Sequence, residues 1–170
     1  MVGNVLSLKG RTISKQKIKK DQNWPAPLNK KEIRGFVGLC AHVRTFIENF
    51  SQAASPLRRL TREYADWDWD KKSEEAFHKL RRLVEEGRTL KKLDYDKGAG
   101  KTKLALDSRY IASGAVLTQE EKEEKDRQVL YESITFSKLE SKYSQPKLEL
   151  CGAARIIKKL QKILWGKHFE

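Results

Sequence analysis

The apolar positions of this chain change period near its middle. Ile33, Phe36, Val37, Cys40, Val43 and Ile47 recur at helical spacing, with Asn29 placed to cap and Glu32 three residues later, as in a capping box. Ser51 or Ser55 opens a further helical segment, where Pro56 suits a first turn and Leu57 and Leu60 form the apolar face. Ala76, Phe77, Leu80, Leu83 and Val84 mark a third helix, capped by Asp70 and ending near Gly87. Upstream, Val2 to Ile13 reads as a short hairpin turning at Lys9-Gly10. Ser14 then caps a short helix that Trp24-Pro25-Ala26-Pro27 stops, because each proline disfavours helix in the residue before it.

Past a linker-like stretch, Lys97 to Gly100, the pattern becomes strand-like. Lys103–Asp107 and Ser113–Leu117 read as two strands about a tight turn, and Glu120–Arg127 as a solvated, charged hairpin loop. Val129–Phe136 is a third strand, with Tyr131, Ser133 and Thr135 alternating against Leu130, Ile134 and Phe136. Ser144-Gln145-Pro146 opens a long helix to about Leu164, whose apolar face holds Leu148, Ala153, Ile156, Ile157, Leu160, Ile163 and Leu164. A further strand is expected to begin at His168-Phe169-Glu170. The fold class is α+β: a helical half, then three antiparallel strands and a long helix. So small a sheet is expected to leave an exposed edge and an incomplete core.

Charge adds the first hint of partners. The 170 residues carry 36 Lys and Arg against 23 Asp and Glu, a net of +13. Residues 1–60 hold 12 basic and 3 acidic side chains, so most of the excess is N-terminal. Lys15, Lys17, Lys19 and Lys20 form one cluster, Arg58 and Arg59 a second, and Arg155, Lys158, Lys159 and Lys162 a third. Each cluster alone reads as a solvated helix face; the total points to nucleic acid or another polyanion. No long uncharged apolar run or secretory signal is present, which argues against a membrane partner. Two cysteines, Cys40 and Cys151, make neither a disulfide framework nor a zinc site and read as small core residues of an intracellular protein. The three histidines lack metal spacing. Trp67 and Trp69 could stack on bases, but their place before a helix reads better as a core anchor.

Several motifs together resemble the reverse transcriptase polyprotein of gypsy-type long-terminal-repeat retrotransposons. Val2-Gly3-Asn4-Val5-Leu6-Ser7 is similar to the hairpin that closes the polymerase palm, and Asn23-Trp24-Pro25-Ala26-Pro27 to the family's WP-x-P segment. Glu32-Ile33-Arg34-Gly35-Phe36-Val37-Gly38-Leu39, Phe46–Ser51 and Ala54-Ser55-Pro56-Leu57 resemble its thumb signature. Trp69 with Ala76-Phe77 and Leu80 resembles the segment joining thumb to nuclease. Leu106-Asp107-Ser108 with Gly114-Ala115-Val116-Leu117, and Tyr143-Ser144 with Glu149-Leu150, resemble the first hairpin and first helix of its RNase H domain. The resemblance implies a palm-end hairpin over 1–13, a helical thumb and connection region over 14–96, and the truncated N-terminal half of an RNase H-like domain over 101–170.

It also implies a chemistry. RNase H cleaves the RNA strand of an RNA/DNA hybrid with two divalent ions, Mg²⁺ or Mn²⁺, held by converging carboxylates. By resemblance Asp107 and Glu149 are two catalytic, metal-binding members of that set. Without the resemblance, Asp107 reads better as a turn or strand-end residue, and Glu149 reads also as an ordinary first-turn helix acid. The family's later carboxylates and its polymerase aspartates have no counterpart here, and Arg109 and Tyr110 replace the small or acidic residues usual after the first Asp. The expected partners are RNA/DNA hybrid or duplex and the rest of a polyprotein, with Lys15, Lys17, Lys19, Lys20, Arg34, Arg58, Arg59, Lys158 and Lys159 as candidate contacts. The alternative is a catalytically dead module that binds nucleic acid or protein.

Overall fold

The computed structural model describes residues 4–7, 10–14, 18, 24–96, 98–121 and 125–170. The expected helix after Ser14, with Lys15, Lys17, Lys19 and Lys20, therefore lies outside the described residues, Ile18 apart. Strands β1 (Asn4–Ser7) and β2 (Gly10–Ile13) pair antiparallel, with Ser7 opposite Gly10. Gly10 thus begins β2 rather than forming the turn. Its φ of +129° and its contact with the Leu90 carbonyl leave no room for a side chain. Arg11 and Leu90 exchange backbone hydrogen bonds of 2.7 and 2.8 Å, which ties the hairpin to the segment after the helical half.

Helix α1 (Lys30–His42) starts where expected: the Asn29 side chain accepts the Glu32 amide at 3.0 Å. The return bond differs from a capping box, because Glu32 accepts from the Leu28 backbone amide at 2.8 Å and the Asn29 side-chain amide at 2.7 Å instead of the Asn29 backbone amide. The helix stops at His42, short of the expected Ile47. A 3₁₀ turn at Arg44–Phe46 follows, which puts Val43 and Phe46 on one face and buries both. Helices α2 (Phe50–Ala53) and α3 (Ser55–Leu60) are separate because Pro56 has no amide hydrogen to continue the first ladder into the second. Helix α4 (Lys71–Glu85) is capped by Asp70, which accepts from both the amide (2.8 Å) and the hydroxyl (2.6 Å) of Ser73. These bonds, with Arg59 beside it, hold the Asp70 carboxyl below the ordinary aspartate range. Gly87, at φ +50°, follows the helix end as expected.

The core of the helical half is aromatic. Phe36 and Phe77 rings lie 4.6 Å apart, Trp69 meets Phe77 edge-on at 6.0 Å, and Trp67 stacks on Trp69 at 5.8 Å. The tryptophans are core anchors.

Strands β3 (Thr102–Arg109), β4 (Ala112–Glu121) and β5 (Lys125–Thr135) form an antiparallel sheet in that order. The paired strands run into the stretch expected as a charged loop, with Glu120 opposite Asp126 and Glu121 opposite Lys125. Lys103 explains why: its ammonium reaches Glu120 at 2.8 Å and Asp126 at 3.1 Å across the sheet, so the charges form cross-strand pairs. Val129 is an extra residue on β5, a bulge opposite Leu117/Thr118. Helix α5 (Gln145–Leu164) packs on one face of the sheet through Leu148, Gly152, Ile156, Leu160 and Leu164. Ile157, expected on that face, is exposed.

Neither sheet edge is simply open. On the β3 side Thr102 bridges Phe169 in parallel, and Glu170 exchanges backbone bonds with Leu104 and Thr102 at 2.8 and 3.0 Å. Where the pattern placed a further strand the chain makes a single bridge, at Phe169. On the β5 side Lys91 donates its amide to Gln128 at 2.8 Å. The second face of the sheet packs on the helical half, with Tyr131 inside the aromatic core and Val116 against it. That is why Val129–Ile134 are all buried, where simple alternation predicts one covered face. The sheet is thus a shared middle layer between α5 and the helical half.

Candidate nucleic-acid and acidic site

Residue alternation sorts the sheet into two faces. Gly152 of α5 lies directly against the Ser108 and Ser113 hydroxyls, which bond each other at 2.8 Å. Ser108 and Ser113 therefore face α5, and Asp107 and Gly114 face the helical half. Gly114 is in close contact with the Asn49 side-chain oxygen, so a β-carbon there would collide. Asn49 itself adopts left-handed backbone, φ 51°, which aims its side chain at β4. The result is a crevice lined by Asn49, Gln52, Asp107, Arg109, Gly114 and Ser133.

Asp107 is exposed at this crevice, and its carboxylate pairs with Arg109 at 3.3 Å. Glu149 stands on the first turns of α5, reached through Gln145: one side-chain amide donates to the Ser108 carbonyl at 2.8 Å and to Glu149 at 3.0 Å. Glu149 is thereby tied to the backbone one residue from Asp107, while the Asp107 carboxylate is turned to the other face and held by Arg109. Ser144 takes the cap position of α5 without a side-chain bond, so Gln145 is the residue that organises this helix start. Among the described residues no group of three or more His, Cys, Asp or Glu side chains converges to hold a metal. Asp107, which pairs with Arg109, and Glu149 are by themselves fewer oxygen ligands than a two-ion site needs, so a metal held here would call for further donors.

The candidate basic contacts fall into three sets. Lys15, Lys17, Lys19 and Lys20 lie outside the described residues. Arg34 and Arg59 are engaged within the helical half: Arg34 donates to the Thr61 carbonyl at 2.9 Å and Arg59 to Asp70 at 2.8 Å. Arg58 and Lys159 meet from opposite halves at the seam along β5, and Lys158 is exposed beside Lys159 on α5. Arg44 also faces this seam. Sequence reasoning passed over it, although a lone arginine inside the apolar run Val43–Ile47 was a usable signal.

Gln119 was also missed. Fully buried on β4, it accepts from the Asp94 amide and donates to the Asp94 carbonyl, both at 2.9 Å, which pins the connecting segment to the sheet. Arg88 does similar work, donating to the Tyr131 hydroxyl at 2.7 Å and pairing with Glu48 at 3.2 Å. Cys40 is buried as expected; Cys151 is half-buried beside Glu140.

This architecture has known counterparts. The foamy viral protease-reverse transcriptase solved in complex with RNA/DNA hybrid superposes on 99% of the chain with a TM-score of 0.80 at 20% identity, over 22% of its own length. The same protein in complex with dsDNA superposes on 99% with a TM-score of 0.81 at 19% identity, over 35% of that chain. In sequence, the Transposon Tf2-3 and Tf2-7 polyproteins of Schizosaccharomyces pombe are each 31% identical over 169 residues. That alignment takes in 99% of this chain and 12% of each polyprotein. Residues 69–170 match the RNase H-like domain found in reverse transcriptase. With its Asp107–Gly114 hairpin, its long helix after three antiparallel strands and its retrotransposon relatives, the chain belongs to the reverse-transcriptase RNase H-like family.

Proposed function

We propose that this chain works as the part of a retrotransposon reverse transcriptase that grips an RNA/DNA template-primer. The observation that carries the reading is fold: nearly the whole chain superposes on a reverse transcriptase solved with RNA/DNA hybrid. The +13 net charge supports it, because the electrostatic attraction of Lys and Arg for backbone phosphates dominates sequence-independent binding. In this reading the longer enzyme hydrolyses RNA in hybrids within the cell, and Asp107 and Glu149 are two of its carboxylates.

The chain should bind hybrid and duplex with weak sequence preference. The logarithm of its affinity should fall linearly with log salt, by about 0.9 for each phosphate neutralised. A flat response in a fluorescence-anisotropy titration overturns the reading. The isolated chain should leave a labelled hybrid uncut in Mg²⁺ or Mn²⁺. Cleavage abolished by Asp107→Asn would show that the acidic pair suffices.

One observation favours a second reading, a catalytically dead binding module: Arg109 sits on the Asp107 carboxylate at 3.3 Å. Arg109→Ala in the full-length parent separates the two. A gain or no change in hybrid cleavage supports a working carboxylate, and an inactive parent with or without the substitution supports the dead module.

A further inference from the structure

The seam between the helical half and the sheet forms an open cleft of ≈ 220 Å³, and its walls are cationic. Arg44 and Arg58 enter from the helical half, Arg155 and Lys159 from α5. Two carboxylates offset part of this charge. Glu132, nearly buried, takes Lys159 at 2.8 Å and Arg44 more loosely at 3.9 Å. Glu140 takes Arg155 at 2.9 Å. Four cations against two anions leave a local excess of +2.

Arg58 is the key member. It is half-buried over the Phe50 ring, 5.3 Å from its centre, and donates to the Thr135 hydroxyl at 3.1 Å. Among the described residues no carboxylate pairs with it. Its guanidinium is held below the usual arginine range by burial first and by the neighbouring Arg44 second. Like charges confined in a partly dry cleft repel, and an anion between them relieves the repulsion and supplies the missing acceptor. The Ser51 and Thr135 hydroxyls line or border the same space and add donors that a phosphate accepts from. The volume is below the roughly 300–1,000 Å³ of drug-sized pockets, which suits a compact oxyanion.

We infer that this seam is a phosphate-binding site formed jointly by Arg44, Arg58, Arg155 and Lys159. The phosphate is either a backbone phosphate of duplex nucleic acid or a free one. As a backbone site it rests on the template-primer reading; as a phosphate site it rests on the seam alone. Because its two sides come from different halves of the fold, a bound phosphate also clamps those halves together.

The test uses the full chain at low salt, with inorganic pyrophosphate and RNA/DNA hybrid as separate probes. Calorimetric titration should show pyrophosphate binding that raises the melting temperature. Arg58→Gln should weaken it about tenfold or more, the usual worth of one charge-assisted bond. Arg58→Lys should fall between, since it keeps the charge but loses the planar fork. Lys72→Gln, the same charge change on α4 outside the seam, should leave it unaltered, and circular dichroism of each variant checks the fold. Hybrid affinity that falls with Arg58→Gln beyond the Lys72→Gln control assigns the site to backbone phosphate. Pyrophosphate affinity alone that falls assigns it to a free phosphate. Pyrophosphate that fails to bind, with Arg58→Gln and Lys72→Gln alike towards hybrid, overturns the site and leaves the gripping reading standing. Hybrid that fails to bind at all overturns the gripping reading and leaves the pyrophosphate result to decide the site.

Discussion

The helical half buries Phe36, Phe46, Phe50 and Phe77 in one cluster and takes Tyr131 of β5 into it, with Val116 of β4 packed against it. The sheet half buries smaller side chains, Leu104, Ala115, Leu117, Leu130 and Leu148 among them, between β3–β5 and α5. The first core is made mostly from residues within one stretch of chain and would look complete by itself. The second is thin, and its outer face is covered by the first. Ser51 and Ser133 meet across that boundary in a buried pair, with the Ser51 amide on the Ser133 hydroxyl at 3.0 Å. A strand with two dry faces cannot keep its fold if one cover is removed, so the small sheet depends on the larger helical core more than the reverse.

The strongest way to break this comparison is Phe77→Ala. Loss of a fully buried phenylalanine should cost about 3–5 kcal/mol. Hydrogen exchange should show β4 and β5 amides losing protection together with α1 and α4. Retained protection in the sheet would mean that the halves are independent.

Gly114→Ala sharpens the contact itself. Its new methyl meets the Asn49 side chain and should cost about 1–3 kcal/mol by overpacking. In an Asn49→Gly background, where the left-handed backbone suits glycine, the same substitution should cost less. Equal costs in both backgrounds, read from denaturant midpoints, would place the clash elsewhere.

The smallest effect is expected at Asp70, which belongs to the helical half alone. Asp70→Ala should lower the melting temperature by a few degrees at neutral pH without altering β5 protection. The Asp70 carboxyl is held below its ordinary range in the folded state. Its stabilisation is therefore present above the unfolded value and lost as pH falls through the lower, folded value. Melting curves of the variant and the parent chain should converge under acid and separate towards neutrality.

How far the sequence could be read varied with the range of the interactions involved. Asn29, Asp70 and Gly87 were legible because capping acts within one turn. The β3–β4 hairpin was legible because its turn and its alternating residues are adjacent in the chain. The charged stretch near Glu120 was misread, since its lysine partner, Lys103, lies on another strand. The helix expected to reach Ile47 stopped at His42, since the burial of Phe46 is set by packing. At the acidic site Asp107 and Glu149 were both picked out, but not the two residues that hold them. Arg109 was noted only as a departure from the family pattern, and Gln145 only as part of the opening of the long helix.

The sequence by itself determined the order and type of most elements, the α+β class and the family motifs. These rest on periodicity, caps and short spacings, all of which are local. Only the tertiary structure decided that β5 is dry on both faces, that Gly114 must stay small for Asn49, and that Arg44, Arg58, Arg155 and Lys159 share one cleft. Those facts join residues such as Arg58 and Thr135, 77 positions apart, and no local pattern encodes a contact that exists only once two faces have packed.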